Sequence, residues 1–228
     1  MAKLQLVIGN KNYSSWSMRP WIALRQAGIA FEEILLKFDE SSGSLRVAGI
    51  EPFSPSRKVP VLLIDGEPVW DSLAIIETLA EMFPEHALWP ADPRARRVAR
   101  ASCAEMHSGF QALRKAMPMN IRDRHPGKGM NPSDSTVEQD IARICAIWRH
   151  CSAHYGSGGP LLFGRFTAAD AFFAPVVMRF RCYAPPLAAD AQAYCDQVGA
   201  LAAVEDWCEA ARRETEFVAG DEPYAARP

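Results

Sequence analysis

Apolar residues are spaced in two ways along this chain, and the change of spacing divides it. Over residues 1–83, short alternating runs are interleaved with helical stripes, the signature of strands exchanging with helices. The run 4–9, LQLVIG, reads as a strand, and 18–28, MRPWIALRQAG, as an amphipathic helix stopped by Gly28. A second strand is expected over 31–38, FEEILLKF, with a short helix in the loosely patterned stretch after it. Residues 59–70, VPVLLIDGEPVW, read as two strands turning at Asp65-Gly66, and 72–83, SLAIIETLAEMF, as an apolar-striped helix. The order is βαβαββα.

Three prolines in PEHALWPADP (84–93) interrupt this rhythm, as a linker between domains does. Beyond them the patterning is helical almost throughout, over 94–122, 134–155, 168–183, 188–201 and 203–214. The expectation is an α/β domain over 1–83, a linker over 84–93 and an all-α helical bundle over 94–228.

The length of 228 residues suits two domains, and 49% apolar with 23% charged residues is an ordinary globular balance. Lys and Arg number 25 against 27 Asp and Glu, so no basic field draws in nucleic acid or an anionic membrane. The N-terminus carries neither a cleavable leader pattern nor an apolar run of membrane-spanning length, which predicts a cytoplasmic protein. Six cysteines, at 103, 145, 151, 182, 195 and 208, form no CxxC and no cluster with histidine. They read as reduced thiols packed on helices, with no disulfide framework and no metal site.

Three segments carry candidate chemistry. In NYSSWSMRPW (12–21), Pro20 is tolerated in the first turn of a helix, which puts the cap at about 16–19 and Ser14, Ser15 and Ser17 at the positive end of its dipole. An anion, including a thiolate, is stabilised there. The same serines also suit simple capping. Lys58-Val59-Pro60-Val61 places proline at the head of a strand, either as an edge residue or as a cis bond that turns the Val59 N–H and C=O toward a peptide-like ligand. Asp71-Ser72 opens a helix, where the aspartate suits an ammonium and the serine with free N–H groups a carboxylate; singly they are an ordinary cap.

In order and spacing these elements resemble the glutathione-binding site of the cytosolic glutathione transferases, whose first domain is thioredoxin-like and whose second is all-helical. Thr167-Ala-Ala-Asp170 looks like that superfamily's N-capping box, a structural element, with Phe166 before it as a staple. SSWSMRPWIAL (14–24) looks closest to the zeta class, which includes the maleylacetoacetate isomerases, with Trp16 standing where that class has a cysteine. The absence of cysteine before position 103 separates the chain from the beta and omega types.

The resemblance implies a transferase, active in detoxification, with glutathione as cosubstrate and no metal cofactor. Ser14 is then the catalytic hydroxyl with Ser15 as its rival, and Trp16, Arg19, Lys58, Val59, Pro60, Asp71 and Ser72 bind glutathione. Residues 107–124 lie at the family's second pocket, where Gln111, Arg114, Met117 and Asn120 are expected to meet a small electrophile. Arg122 and Arg124 stand nearby for an acidic ligand, although a core stripe and solvated charges explain the same pattern. A homodimer is expected as well. A zeta-like cis-trans isomerase and a non-catalytic glutathione-binding module are the alternatives.

Overall fold

A computed structural model describes residues 2–40 and 46–225. Four strands form the main sheet: β1 (Leu4–Ile8), β2 (Glu32–Leu35), β5 (Val61–Ile64) and β6 (Glu67–Trp70), in the order β2-β1-β5-β6. β1 runs parallel to β2 and antiparallel to β5, which turns into β6 at Asp65-Gly66. Both turn residues have positive φ, 50° and 92°, the conformation such a two-residue hairpin demands. Period-two alternation decides the faces: Leu4, Leu6, Ile8 and Leu62 join the main core, while Val7, Val61 and Leu63 pack with Ile50 on the other side.

Helices α1 (Ser15–Ala27) and α2 (Ser72–Met82) cover the main-core face. The expected strand over 31–38 is broken after Leu35, and Phe38–Asp39 (β3) pairs instead with Arg46–Val47 (β4). The short helix expected before the hairpin is absent from the described residues there, and 41–45 lie outside them. Between β4 and β5 the chain makes turns in place of helix, since Gly49 has φ of 74°, Arg57 has φ of 55°, and Pro52 and Pro55 remove backbone donors. The thioredoxin-like class of the first half is otherwise as expected.

The second half is helical: α3 (Pro93–Ser108), α4 (Gln111–Ala116), α5 (Thr136–Tyr155), α6 (Ala168–Tyr183), α7 (Ala189–Gly199) and α8 (Ala202–Arg212). The single helix expected over 94–122 is two, because Phe110 takes a left-handed φ of 62° and the chain beyond Ala116 is irregular. α6 is the axis of this half, with all but one of its residues buried. Its capping box forms: the Thr167 N–H donates to Asp170 Oδ2 at 2.9 Å, and the Thr167 hydroxyl caps the Asp170 N–H in return. Asp170 also accepts from the Leu162 N–H and the Tyr194 hydroxyl; burial still pushes its carboxyl up to about 6.

α1 packs on both α6 and α8, so the two halves share one core. The loop between β1 and α1 is clamped by the helical half. Glu214 accepts the Lys11 and Asn12 N–H groups at 2.6 and 3.0 Å, and Asn12 Oδ1 accepts from the Ile121 and Arg122 N–H groups, each at 2.9 Å. Lys11 reaches Glu33 at 2.7 Å while its ammonium lies over the Trp21 and Trp207 rings.

Candidate active site

The clamp holds the start of α1, which begins earlier than proline placement suggests. Ser14 is the N-cap: its Oγ accepts from the Ser17 N–H at 3.3 Å, and its C=O accepts from the Met18 N–H at 3.1 Å. Pro20 therefore lies inside the helix, where it removes one donor, the one facing the Trp16 carbonyl. The capping hydroxyl sets the start, and the expected cap at 16–19 is corrected to Ser14. The Trp16 N–H has no acceptor among the described residues, so the dipole end points a free donor outward.

A cleft of two adjoining cavities runs from here. One, of ≈ 430 Å³, is lined by Trp16, Val59, Pro60, Trp70, Asp71, Ser72 and His107, among others. The second, of ≈ 320 Å³, is lined by Ser14, Ser15, Trp16, Lys58, Val59, Arg114, Arg179 and Asp221, and by Arg46 and Arg57. Trp16, Lys58 and Val59 face both, which makes the two cavities one path from Ser14 to Ser72.

At the Ser72 end, the peptide bond Val59-Pro60 is cis. Neither the Val59 N–H nor its C=O has a hydrogen-bond partner among the described residues. Asp71 caps α2 through the Leu73 N–H at 2.8 Å, and its other oxygen lies 3.2 Å from His107 Nε2 on α3. Burial lowers the His107 pKa below the ordinary imidazole value and outweighs the pull of Asp71, so a neutral ring donates to the carboxylate at pH 7. Ser72 is buried, its Oγ accepts from Arg19 Nη1 at 3.4 Å, and its own N–H is unpaired among the described residues.

Arg19 is fully buried, forms no ion pair with any carboxylate among the described residues, and leaves its Nε without a partner. It is stacked between aromatic rings, 4.2 Å from Trp16 and 4.8 Å from Phe172. Burial lowers its pKa, and the neighbouring Arg114 and Arg179 add to the effect. Arg114 lies 4.9 Å from the Trp16 ring. Arg179 donates to the Met117 and Pro175 carbonyls and, through Nη2, to Ser15 Oγ at 3.3 Å; burial lowers its pKa to about 10. Three guanidiniums thus surround Ser15 and Trp16 without a paired carboxylate, an arrangement that favours a bound anion.

The two serines differ. The Ser14 hydroxyl donates to Ser17 Oγ at 2.7 Å, whereas the Ser15 hydroxyl accepts from Arg179 and keeps its own proton free among the described residues. Tyr13, beside them, is committed elsewhere: its hydroxyl shares its one proton between Glu222 and the Glu216 carbonyl at 2.9 Å, accepts from Arg122, and has a pKa raised by burial to about 12.

Of the four residues expected at the electrophile side, the structure brings only Arg114 to the cleft. Gln111 is exposed and its amide donates to the Ser108 carbonyl, because the break at Phe110 starts a new helix there. Met117 is core, and Asn120 is buried against Asn12 at 3.0 Å. Arg122 is spent on Tyr13, Glu222 and tail carbonyls, and Arg124 is exposed at Asp123. Sequence reasoning missed His107, Arg179 and Asp221. Only Arg179 left a signal, as a cation inside the apolar run AFFAPVVMRF. Burial raises the pKa of all six cysteines, none of which lines the cleft.

Known proteins are similar to this chain over part or most of its length. A probable maleylacetoacetate isomerase of Caenorhabditis elegans is 27% identical over 72% of this chain and 72% of that protein. The maleylacetoacetate isomerase of Rattus norvegicus is 36% identical over 44% of this chain; the match spans 46% of the rat protein, about half its length. A crystal structure of a glutathione transferase homologue from Burkholderia with bound glutathione shares the fold, with a TM-score of 0.66 at 22% identity over 92% of this chain and 98% of that one. The glutathione S-transferase N-terminal domain model matches residues 13–82 and the C-terminal domain model residues 134–210, together more than half of the chain, which therefore belongs to the glutathione S-transferase family.

Proposed function

We propose that the protein is a glutathione transferase whose cleft binds the tripeptide between Ser14 and Ser72. The observation that carries this reading is the convergence on one path of a free helix N-terminus, the unpaired Val59 backbone and the Asp71-Ser72 cap. The γ-glutamyl ammonium pairs with Asp71 and its carboxylate with the Ser72 N–H and hydroxyl, backed by Arg19. The cysteinyl backbone pairs with Val59, and Lys58 with Pro60 shapes the wall. The sulfur then lies at the start of α1. Residues 1–83 supply these groups, and residues 94–228 the electrophile side.

Chemistry follows from thiol ionisation. A thiol of pKa ~8.5 is only about 3% ionised at pH 7, and lowering it by ~2 units raises the thiolate roughly 25-fold. A serine hydroxyl, the Trp16 N–H and the three guanidiniums all act in that direction. The thiol proton passes to solvent, the sulfur pair forms the S–C bond, and the leaving group departs with its own bonding pair. Ser14 serves as the donor by turning from Ser17; the free proton of Ser15 favours a second reading in which Ser15 takes that role. The maleylacetoacetate isomerase names of the relatives support a zeta-like isomerisation at the same thiolate as the alternative reaction. We place the protein in the cytoplasm as a homodimer with a detoxifying role, on the family's habit.

Glutathione at 100 times its dissociation constant adds ~2.7 kcal/mol to the native state, and S-methylglutathione does nearly as well if the backbone and end-group contacts dominate. A thermal melt with 10 mM of either ligand should therefore rise by several degrees. A melting temperature indifferent to both sinks the assigned site, and binding without turnover on a broad electrophile panel identifies a binding module instead.

A further inference from the structure

A segment beyond α8 reaches the cleft at Asp221. Residues 214–222 are tied to the helical half by Arg122, which donates to the Glu216 carbonyl at 2.6 Å and to Glu222 at 3.2 Å. They are tied to the first half by Glu40, which accepts the Ala219 and Gly220 N–H groups at 2.8 and 3.3 Å. The single helical turn Ala219–Asp221 so formed sets Asp221 into the cavity that holds Ser14, Ser15, Arg114 and Arg179. Among the described residues nothing hydrogen-bonds the Asp221 carboxylate and no cation pairs with it directly.

Asp221 is the one acidic residue lining that cavity among the described residues, which Arg46, Arg57, Lys58, Arg114 and Arg179 also line. The Arg179 charge acts on it favourably, while burial, Glu40 and Glu222 push its carboxyl up to about 6. It is therefore ionised at pH 7.5 and largely neutral at pH 5.5. No histidine lines this cavity; His107 stands beyond Trp16, and Tyr13 stays neutral throughout this range.

We propose that Asp221 is a specificity-determining residue for the second substrate: its carboxylate supplies the counter-charge to Arg179 in the empty cleft and disfavours electrophiles that carry an anionic group there. This rests on the glutathione reading above. A neutral electrophile meets Arg179 already compensated, whereas a carboxylated one must displace Asp221 or repel it. Loss of the Asp221 charge, by substitution or by protonation, opens the guanidinium to the ligand.

The test is calorimetric binding of glutathione, S-benzylglutathione and S-(4-carboxybenzyl)glutathione to the full chain and to Asp221→Asn, at pH 7.5 and 5.5. At pH 7.5 the variant should improve the affinity of the carboxybenzyl over the benzyl conjugate by about 5- to 30-fold, with glutathione itself unchanged within about two-fold as a check on folding. In the unaltered protein the same ratio should rise on going to pH 5.5, and in Asp221→Asn it should not. A ratio that stays within two-fold between the proteins and between the two pH values overturns the role of Asp221. Absence of binding by glutathione itself overturns the glutathione reading, and this proposal with it.

Discussion

Arg179 projects from α6 into the cleft with no carboxylate hydrogen-bonded to it among the described residues. A buried guanidinium loses hydration worth several kcal/mol, and here it recovers part through two carbonyls and Ser15 Oγ instead of through a carboxylate. Its neighbours in the cleft come from positions 15, 114 and 221, so nothing local announces the group. Ser14 and Ser15, by contrast, were legible because proline confines a helix start to a few residues, although the proline alone placed that start too late. Which serine reaches the sulfur decides between two hydrogen-bond patterns already present, Ser14 to Ser17 and Arg179 to Ser15. Ser14→Ala should leave glutathione affinity within a few-fold and cut conjugation by about 10- to 100-fold, the scale of one lost hydrogen bond to a charged group. Steady-state kinetics of both alanine variants check this. A loss confined to Ser15→Ala moves the catalytic role by one residue, and no loss in either assigns activation to the helix end and guanidiniums.

Elements were legible where local chemistry alone fixes them. The hairpin at Asp65-Gly66, the stop at Gly28 with φ of 72° and the helix over Ala168–Tyr183 all follow from turn, cap and capping-box residues within a few positions of each other. The break between α3 and α4 was not legible, since the left-handed Phe110 is imposed by packing: its side chain is buried in the core and Arg114 folds back onto the Gly109 carbonyl at 3.0 Å. The capping box makes a quantitative statement about α6. Thr167→Val keeps the shape and removes the hydroxyl that caps Asp170, and should cost about 1–2 kcal/mol in urea unfolding. Asp170→Ala also strands the Leu162 N–H and the Tyr194 hydroxyl, so it should cost at least about 3 kcal/mol. Equal and small losses in both would show that α6 is held by packing alone.

At the scale of the molecule, a thioredoxin-like half followed by helices was readable because the two hydrophobic periods change near the prolines at 84–93. What joins the halves was not readable. Glu214, Asn120 and Arg122 from the helical part grip Lys11, Asn12 and Tyr13, contacts more than 90 residues apart in sequence. That grip fixes where the α1 N-terminus points, so the helical half positions the proposed sulfur site as well as facing it. The segment 107–124 consequently spends Asn120 and Arg122 on the grip and contributes Arg114 to one cavity of the cleft and His107 to the other, beside Asp71. On the proposed function, this assembled cleft binds glutathione and ionises its thiol. Titration of the thiolate absorbance of bound glutathione from pH 5 to 10 tests it directly, against free glutathione under the same conditions. Ionisation in the cleft requires a bound pKa ~2 units below the ordinary ~8.5 of a thiol, and a bound thiol that still titrates at the free value rules it out.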